Sequence, residues 1–131
     1  MKRLLPVLVG ALVSAAGASA AAQDTKVAPL LSRDLAGIAG KEGAMLAVEY
    51  APGAVDPIHR HNAHVFVYVL EGSIVMQVQG GAPVTLRPGQ TFYEGPDDIH
   101  LVGRNASGTE PAKFLAFFVK DKGAPILEPV R

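Results

Sequence analysis

The sequence predicts an all-β fold, a sandwich or barrel built from short strands. Three observations carry that expectation. Turn residues punctuate the chain about every 8–12 positions, as in all-β domains. The stretches between them are short and rich in β-branched and aromatic side chains. No stretch repeats apolar residues at the spacing of a clean helical stripe. Fourteen Gly and ten Pro, spread along the chain, supply the turns.

The elements follow in order. Residues 44–50 alternate into a strand that ends at Pro52-Gly53. Residues 65–70 are apolar on both faces and stop at Glu71-Gly72, and residues 73–79 close at Gly80-Gly81. The short run 84–86 ends at Pro88-Gly89, and 91–94 ends at Gly95-Pro96. Residues 99–102 and 113–120 complete the set. Residues 30–38 have room for at most a turn or two of helix. Residues 23–43 and 121–131 read as arms around one barrel.

Length and composition narrow the function. A chain of 131 residues accommodates one domain rather than two. Twelve basic against twelve acidic residues, with only 18% charged, exclude an electrostatic nucleic-acid binder, which shows a basic face or tail. At 49% hydrophobic the chain is too apolar to be disordered. The absence of cysteine excludes disulfides, a thiol nucleophile and a Cys-ligated metal. Residues 1–22 have a basic start (Lys2, Arg3), an apolar middle and a small-residue end with two Ala-x-Ala sites, the layout of a secretory signal peptide. A membrane anchor is the alternative, but the second half is Ala, Gly and Ser, short of the ~20 strongly apolar residues a span needs. Cleavage removes two basic groups and leaves 10 against 12, a net of −2. The expected product is a periplasmic or secreted single domain, 23–131, with no membrane association once the leader is gone.

Chemistry concentrates in the histidines. Three of the four lie within six residues, His59, His61 and His64, and the fourth is His100. Alternate residues of a strand share a face, so His59 and His61 can aim inward with Arg60 outward. A third imidazole from another strand would complete one face of a metal, and imidazole suits Zn, Cu, Fe and Ni. A His-x-His pair alone is weak evidence; the wider spacing strengthens it.

That wider spacing resembles the cupin superfamily. Gly53, five residues, His59, Arg60, His61, three residues, Val65, six residues and Gly72 reproduce every interval of the first cupin motif. Gly89, Gly95, Asp97, His100 and Asn105 resemble the second, after a spacer of sixteen residues. The core motifs thus span 53–105. The resemblance implies a double-stranded β-helix, or jelly-roll barrel, with a divalent metal (Fe, Mn, Zn, Ni or Cu) on His59, His61 and His100. It also implies a homodimer joined through sheet edges and exchanged arms.

Departures from the pattern matter too. Val65 stands where cupins usually place a carboxylate ligand, and valine binds no metal. Gly95 and Asp97 replace the usual Pro and Gly, and Asn105 falls one residue late. The expected ligand set is therefore three neutral imidazoles. Glu94 ends a strand leading toward His100 and is the candidate to supply the missing carboxylate or to act as general base. His64 is either a fourth ligand or a solvent-facing turn residue. Tyr68 and Tyr93 read as core or barrel-lining aromatics, and Arg104 as a strand-end residue able to balance a substrate carboxylate. Asn105-Ala106-Ser107 also fits a glycosylation sequon.

The resemblance implies metal-dependent oxygenase, isomerase or decarboxylase chemistry on a small oxygen-rich molecule. A metal with only neutral ligands would favour an anionic one. The alternative is a non-catalytic module that holds metal or a small ligand for sensing.

Overall fold

The computed structural model describes residues 25–130; the expected leader, 1–22, lies outside the described residues. Ten strands follow one another without a helix: β1 (Thr25–Asp34), β2 (Lys41–Tyr50), β3 (His59–Arg60), β4 (His64–Glu71), β5 (Ile74–Val78), β6 (Val84–Leu86), β7 (Thr91–Glu94), β8 (His100–Asn105), β9 (Ala112–Asp121) and β10 (Glu128–Pro129). They form two five-stranded antiparallel sheets, ordered β1-β2-β9-β4-β7 and β10-β3-β8-β5-β6. After β2 the chain passes repeatedly from one sheet to the other. This is the double-stranded β-helix expected from the motifs.

Alternation drives the packing. In β4, Val65, Val67 and Val69 face the second sheet while His64, Phe66 and Tyr68 face outward. In β9, Ala112, Phe114, Ala116, Phe118 and Lys120 turn inward. Between the sheets Leu46, Val48, Ile74, Met76 and Leu86 complete the core. A fully buried side chain of this kind is worth about 1.5–3 kcal/mol. Many of the inward residues are Ala or Val, and their small volume leaves a hollow between the sheets.

The turns hold because their residues suit them. Gly72 has φ +67, and a Cβ there would lie 2.4 Å from the Pro111 carbonyl oxygen. Only glycine fits both the left-handed backbone and that close approach. The inward Lys120 is 5% exposed, yet its ammonium is satisfied by Glu42 and by the carbonyls of Asp121 and Ala124. It thereby ties down the segment after β9.

Four expectations are corrected. Residues 25–34 form a ten-residue strand on the edge of the first sheet, not an arm, and 30–38 contains no helix. Nine of the ten β1 residues are exposed, so the strand shows no apolar alternation to read. The segment after β9 is likewise no free arm, since β10 pairs with β3. Tyr68 and Tyr93 lie outside the barrel, 47% and 48% exposed, because alternation turns Val67 and Val69 of β4 and Phe92 and Glu94 of β7 inward in their place.

Candidate metal centre

The loop from β2 to β3 delivers the first histidines. Ala54 is fully buried, and the Asp56 amide donates to the Gly103 carbonyl (2.8 Å), which fixes the approach to β3. His59 then pairs directly with His100 across β3 and β8. Beyond His61 the chain reverses at Asn62, whose φ of +51 is the left-handed region that Asn tolerates better than most residues. The reversal separates two neighbours in sequence: His61 points inward and His64 outward.

Each imidazole is oriented from behind. His59 Nδ1 lies 2.7 Å from the Pro57 carbonyl oxygen, and His61 Nδ1 lies 2.7 Å from that of Ile126. A carbonyl only accepts, so both Nδ1 atoms carry the proton and both Nε2 atoms turn to the cavity. The two Nε2 atoms are 3.0 Å apart. Two bare lone pairs at that distance repel, so a proton or a cation belongs between them.

Glu94 joins them from the opposite sheet. Its Oε1 is 3.0 Å from His61 Nε2, and its Oε2 is 3.3 Å from His100 Nδ1. Glu94 is the register partner of Val65 across β4 and β7. Directly opposed residues on one sheet face have Cβ atoms about 4.5–5.5 Å apart. The carboxylate missing at Val65 is thus replaced from the adjoining strand. The ligand atoms of His59, His61, Glu94 and His100 all lie within 4.8 Å of one another.

The electrostatics are those of a compressed charge cluster. Burial disfavours a charged His61, but the hydrogen bond and charge of Glu94 outweigh it and hold the imidazole above its ordinary pKa. Burial also opposes ionised Glu94, yet its bond to His61 and the charges of the histidines keep the carboxyl below its ordinary range. His100 goes the other way. Burial, reinforced by the charges of His59 and His61 against that of Glu94, lowers its pKa. Without a metal, these shifts favour a charged His61 beside an ionised Glu94 and disfavour a charged His100.

The donor set fits a metal ion. Neither ring nitrogen of His100, a residue 4% exposed, has a hydrogen-bond partner among the described residues; the approach to Glu94 Oε2 is misaligned for one. A buried unsatisfied polar atom costs about 1–3 kcal/mol, and a coordinated cation removes that cost. Two ligand nitrogens about 2.1 Å from one ion stand roughly 3.0–3.4 Å apart, which includes the observed His59–His61 spacing. The backbone carbonyls behind His59 and His61 are the outer partners that metal-binding imidazoles usually have. These four residues could hold a metal ion. The cluster adds a carboxylate to the three expected imidazoles, which would reduce a divalent ion's charge at the site from +2 to +1.

A cavity of about 110 Å³ opens at this centre. Its walls are mainly apolar, with Leu46, Val48, Val67, Met76, Phe114 and Phe118 among them. No Lys or Arg lines it, Arg104 included; Arg104 sits on β8 with its guanidinium on the Asn105 carbonyl (3.2 Å). His64 takes no part either. It is exposed, with Nδ1 2.6 Å from the Tyr93 hydroxyl on the outer face. Asn105 is 3% exposed and staples a loop, its amide donating to the carbonyls of Ala51 and Glu110 (3.0 and 2.8 Å). That burial removes it as a glycosylation acceptor in the folded chain.

Three cavity residues were not anticipated. Tyr50, 1% exposed, donates to Asp56 Oδ2, and Thr25 Oγ1 donates to Asp56 Oδ1 at 2.8 Å. Burial, then the charge and hydrogen bond of Asp56, push the Tyr50 phenol far above its ordinary pKa and keep it a donor. Asp56-Pro57 reads in sequence as a turn, and nothing local marks it as a cavity residue.

Comparison with known proteins agrees with this architecture. The DMSP lyase DddQ from Ruegeria pomeroyi DSS-3 superposes with a TM-score of 0.66 at 19% identity, over 82% of this chain and 52% of the lyase. An oxalate oxidase in complex with the substrate analogue glycolate gives 0.64 at 22%, over 93% and 63%. The chain therefore spans about half the length of the lyase and under two thirds of the oxidase. The cupin domain of an XRE family transcriptional regulator from Enterobacter cloacae gives 0.57 at 26% identity, over 73% and 96%. No curated protein matches this chain in sequence. The family model described as a cupin domain matches residues 46–118, more than half of the 131 residues and the whole stretch that carries the four-residue centre. By fold, motif and family match together, the chain belongs to the cupin family.

Proposed function

We propose that this cupin binds one divalent metal (Fe, Mn, Zn, Ni or Cu) through His59, His61, His100 and Glu94 and is a metal-dependent enzyme for a small oxygen-bearing molecule. The observation that carries the metal is His100, buried with both ring nitrogens unpartnered beside three other ligand atoms. We assign Glu94 the role of fourth ligand rather than general base, because both of its oxygens are turned to histidines. When bound, the ion supplies a Lewis acid that polarises a substrate oxygen. The chain's residues orient the ligands, exclude water with an apolar wall and limit size. An engineered apolar cavity of 150 Å³ holds benzene, so about 110 Å³ suits a molecule of fewer heavy atoms. With a site charge of +1 and no cationic wall, a neutral or singly charged substrate fits better than a polyanion. Oxygenase, isomerase and decarboxylase chemistry all belong to this frame.

The likeness to a transcriptional regulator's cupin domain favours a second reading, a non-catalytic module that senses metal or a small ligand. Elemental analysis of protein from its native compartment, followed by oxygen uptake and turnover on small diols, hydroxy acids and keto acids, separates the two. Metal with turnover supports the enzyme; full metal occupancy without turnover supports the module; no metal on any preparation defeats the enzyme and the metal-sensing module. We propose further that residues 1–22 are removed on export to the periplasm or medium, so that intact mass shows a chain starting near Ala21 or Gln23. The outer face of the first sheet is uncharged and mostly apolar, with Phe66, Tyr68 and Tyr93 exposed beside half-buried Met45, Leu115 and Phe117. We assign it to a homodimer, which light scattering with Phe66→Glu as the disrupting variant tests.

A further inference from the structure

Apart from the four-residue centre, the cavity wall contains three side chains with polar groups: Thr25, Tyr50 and Asp56. They are joined to one another. Tyr50 donates to one oxygen of Asp56 and Thr25 donates to the other, at 2.8 Å. Each carboxylate oxygen has two acceptor sites, so one on each stays available. Among the described residues, Asp56 is the only carboxylate on the wall besides Glu94, and the oxygens of Glu94 face histidines.

The pair stands close to the metal-ligand cluster. A Cβ placed on Gly103 would lie 3.2 Å from the Tyr50 hydroxyl and 3.2 Å from His100 Nε2. Those two atoms are therefore no more than twice that distance apart, a gap that a molecule of a few atoms bridges. Three separate elements hold the arrangement. The Tyr50 ring packs edge-on against Phe114 with centroids 5.2 Å apart, the Asp56 amide is bound to Gly103, and Thr25 reaches in from β1.

We propose that Asp56 is the proton acceptor of this cavity, acting on a small carbonyl compound with an acidic hydrogen on the adjacent carbon. This inference rests on the metal-binding reading above and specifies its chemistry. The carbonyl oxygen sits at the four-residue centre and the apolar walls enclose the carbon body. The C–H bond breaks, its proton passes to a free lone pair of Asp56, and its electron pair forms the C=C bond of an enolate as the carbonyl π pair moves onto oxygen. Exchange of that proton with solvent before a proton returns to the same carbon is hydrogen exchange; where the adjacent carbon also bears a hydroxyl, delivery of the proton to the former carbonyl carbon, with the hydroxyl proton passing to the former carbonyl oxygen, is isomerisation. No oxidant or reductant is consumed. Tyr50 and Thr25 are positioning residues: their hydroxyls fix the carboxylate and moderate its charge.

The test uses the full chain, loaded to stoichiometric metal by elemental analysis, with pyruvate and hydroxyacetone as probes. Loss of the α-hydrogen signals in D2O is followed by proton NMR against a protein-free blank. General-base catalysis contributes about 10²–10⁴-fold, so Asp56→Asn should slow exchange at least 100-fold with metal content unchanged. Tyr50→Phe should slow it less. A second readout needs no metal: the buried Tyr50 hydroxyl proton should give a resolved downfield NMR line, absent in Tyr50→Phe and displaced in Asp56→Asn. Wild-type exchange rates in Asp56→Asn overturn the proposal. So does absence of exchange at full metal occupancy, or absence of the hydroxyl line. Failure of metal binding itself appears separately in the elemental analysis and overturns the reading on which the proposal rests.

Discussion

Gly103 lies on β8 between the two halves of the cavity, and replacing it with alanine is a sharp perturbation. The added Cβ would stand 3.0 Å from His100 Cε1 and 3.2 Å from both His100 Nε2 and the Tyr50 hydroxyl. Comfortable heavy-atom contact is about 3.5–4.0 Å, so the imidazole or the phenol must retreat by roughly 0.5 Å. Overpacking of this kind costs about 1–3 kcal/mol. Stiffening the unfolded chain by Gly→Ala returns about 0.4–1 kcal/mol. The net is a loss of about 1–2 kcal/mol, or roughly 5–15 °C in Tm for a domain of this size. The effect on metal should be larger in proportion, because a ligand site tolerates displacements of only about 0.2 Å. Thermal unfolding of metal-free protein gives the first quantity, and competition against a calibrated chelator gives the second. Gly108→Ala is the control, since a Cβ there meets nothing within 4 Å. If Gly103→Ala matches wild type in both Tm and metal affinity, the crowded placement of His100 is wrong.

Metal uptake should release a proton. The pKa of His61 is raised above its ordinary value of 6.5, so at pH 6 it carries a proton that a metal must displace, and calorimetric heats at that pH should scale with buffer ionisation enthalpy; equal heats in all buffers would contradict the raised pKa. In metal-free protein the same pair sets a pH window. The lowered pKa of Glu94 gives stability present above about 4.5 and lost in acid, while the raised pKa of His61 gives stability present below 6.5 and lost as pH rises through its elevated value. The lowered pKa of His100 removes stability as pH falls below 6.5, so Tm should peak near 6.5 and fall on both sides. Asn105→Ala strips the part-buried carbonyls of Ala51 and Glu110 of their donor and should cost about 1–3 kcal/mol by denaturant unfolding, with the ligand residues untouched. Glu94→Val should abolish metal retention, and adding Val65→Glu in the same chain should recover part of it, since the two positions face each other across β4 and β7; no recovery would mean that the carboxylate must enter from β7.

Seven strands were legible because turn residues bracket them and their side chains are β-branched or aromatic. β1 was not, since an edge strand exposed on nearly every residue carries no burial pattern. β3 and β10 have two residues each, too few for any periodicity. The histidines were legible from spacing alone, because the motif intervals are distances along the chain. The position of Glu94 inside the cluster depends on the register between β4 and β7, and Asp56 depends on a tyrosine and a threonine from two other strands. Such relations exist only once strands are paired. The outward placement of Tyr68 and Tyr93 was missed for a similar reason. A strand that is apolar on both faces does not declare which face is inside.

The carbonyl that aims His61 belongs to Ile126, 65 residues downstream, and β10 beyond it braces β3. The order of events in the life of the chain follows from this. A polypeptide emerging from its N-terminal end presents its histidines long before the segment that orients them, so a partly emerged chain offers loose imidazoles and no finished centre. An ion met at that stage meets a weak and unselective chelator. On the metal-binding reading proposed above, the choice of metal would therefore be made late, once the Ile126 segment is in place, and by the free ions found there.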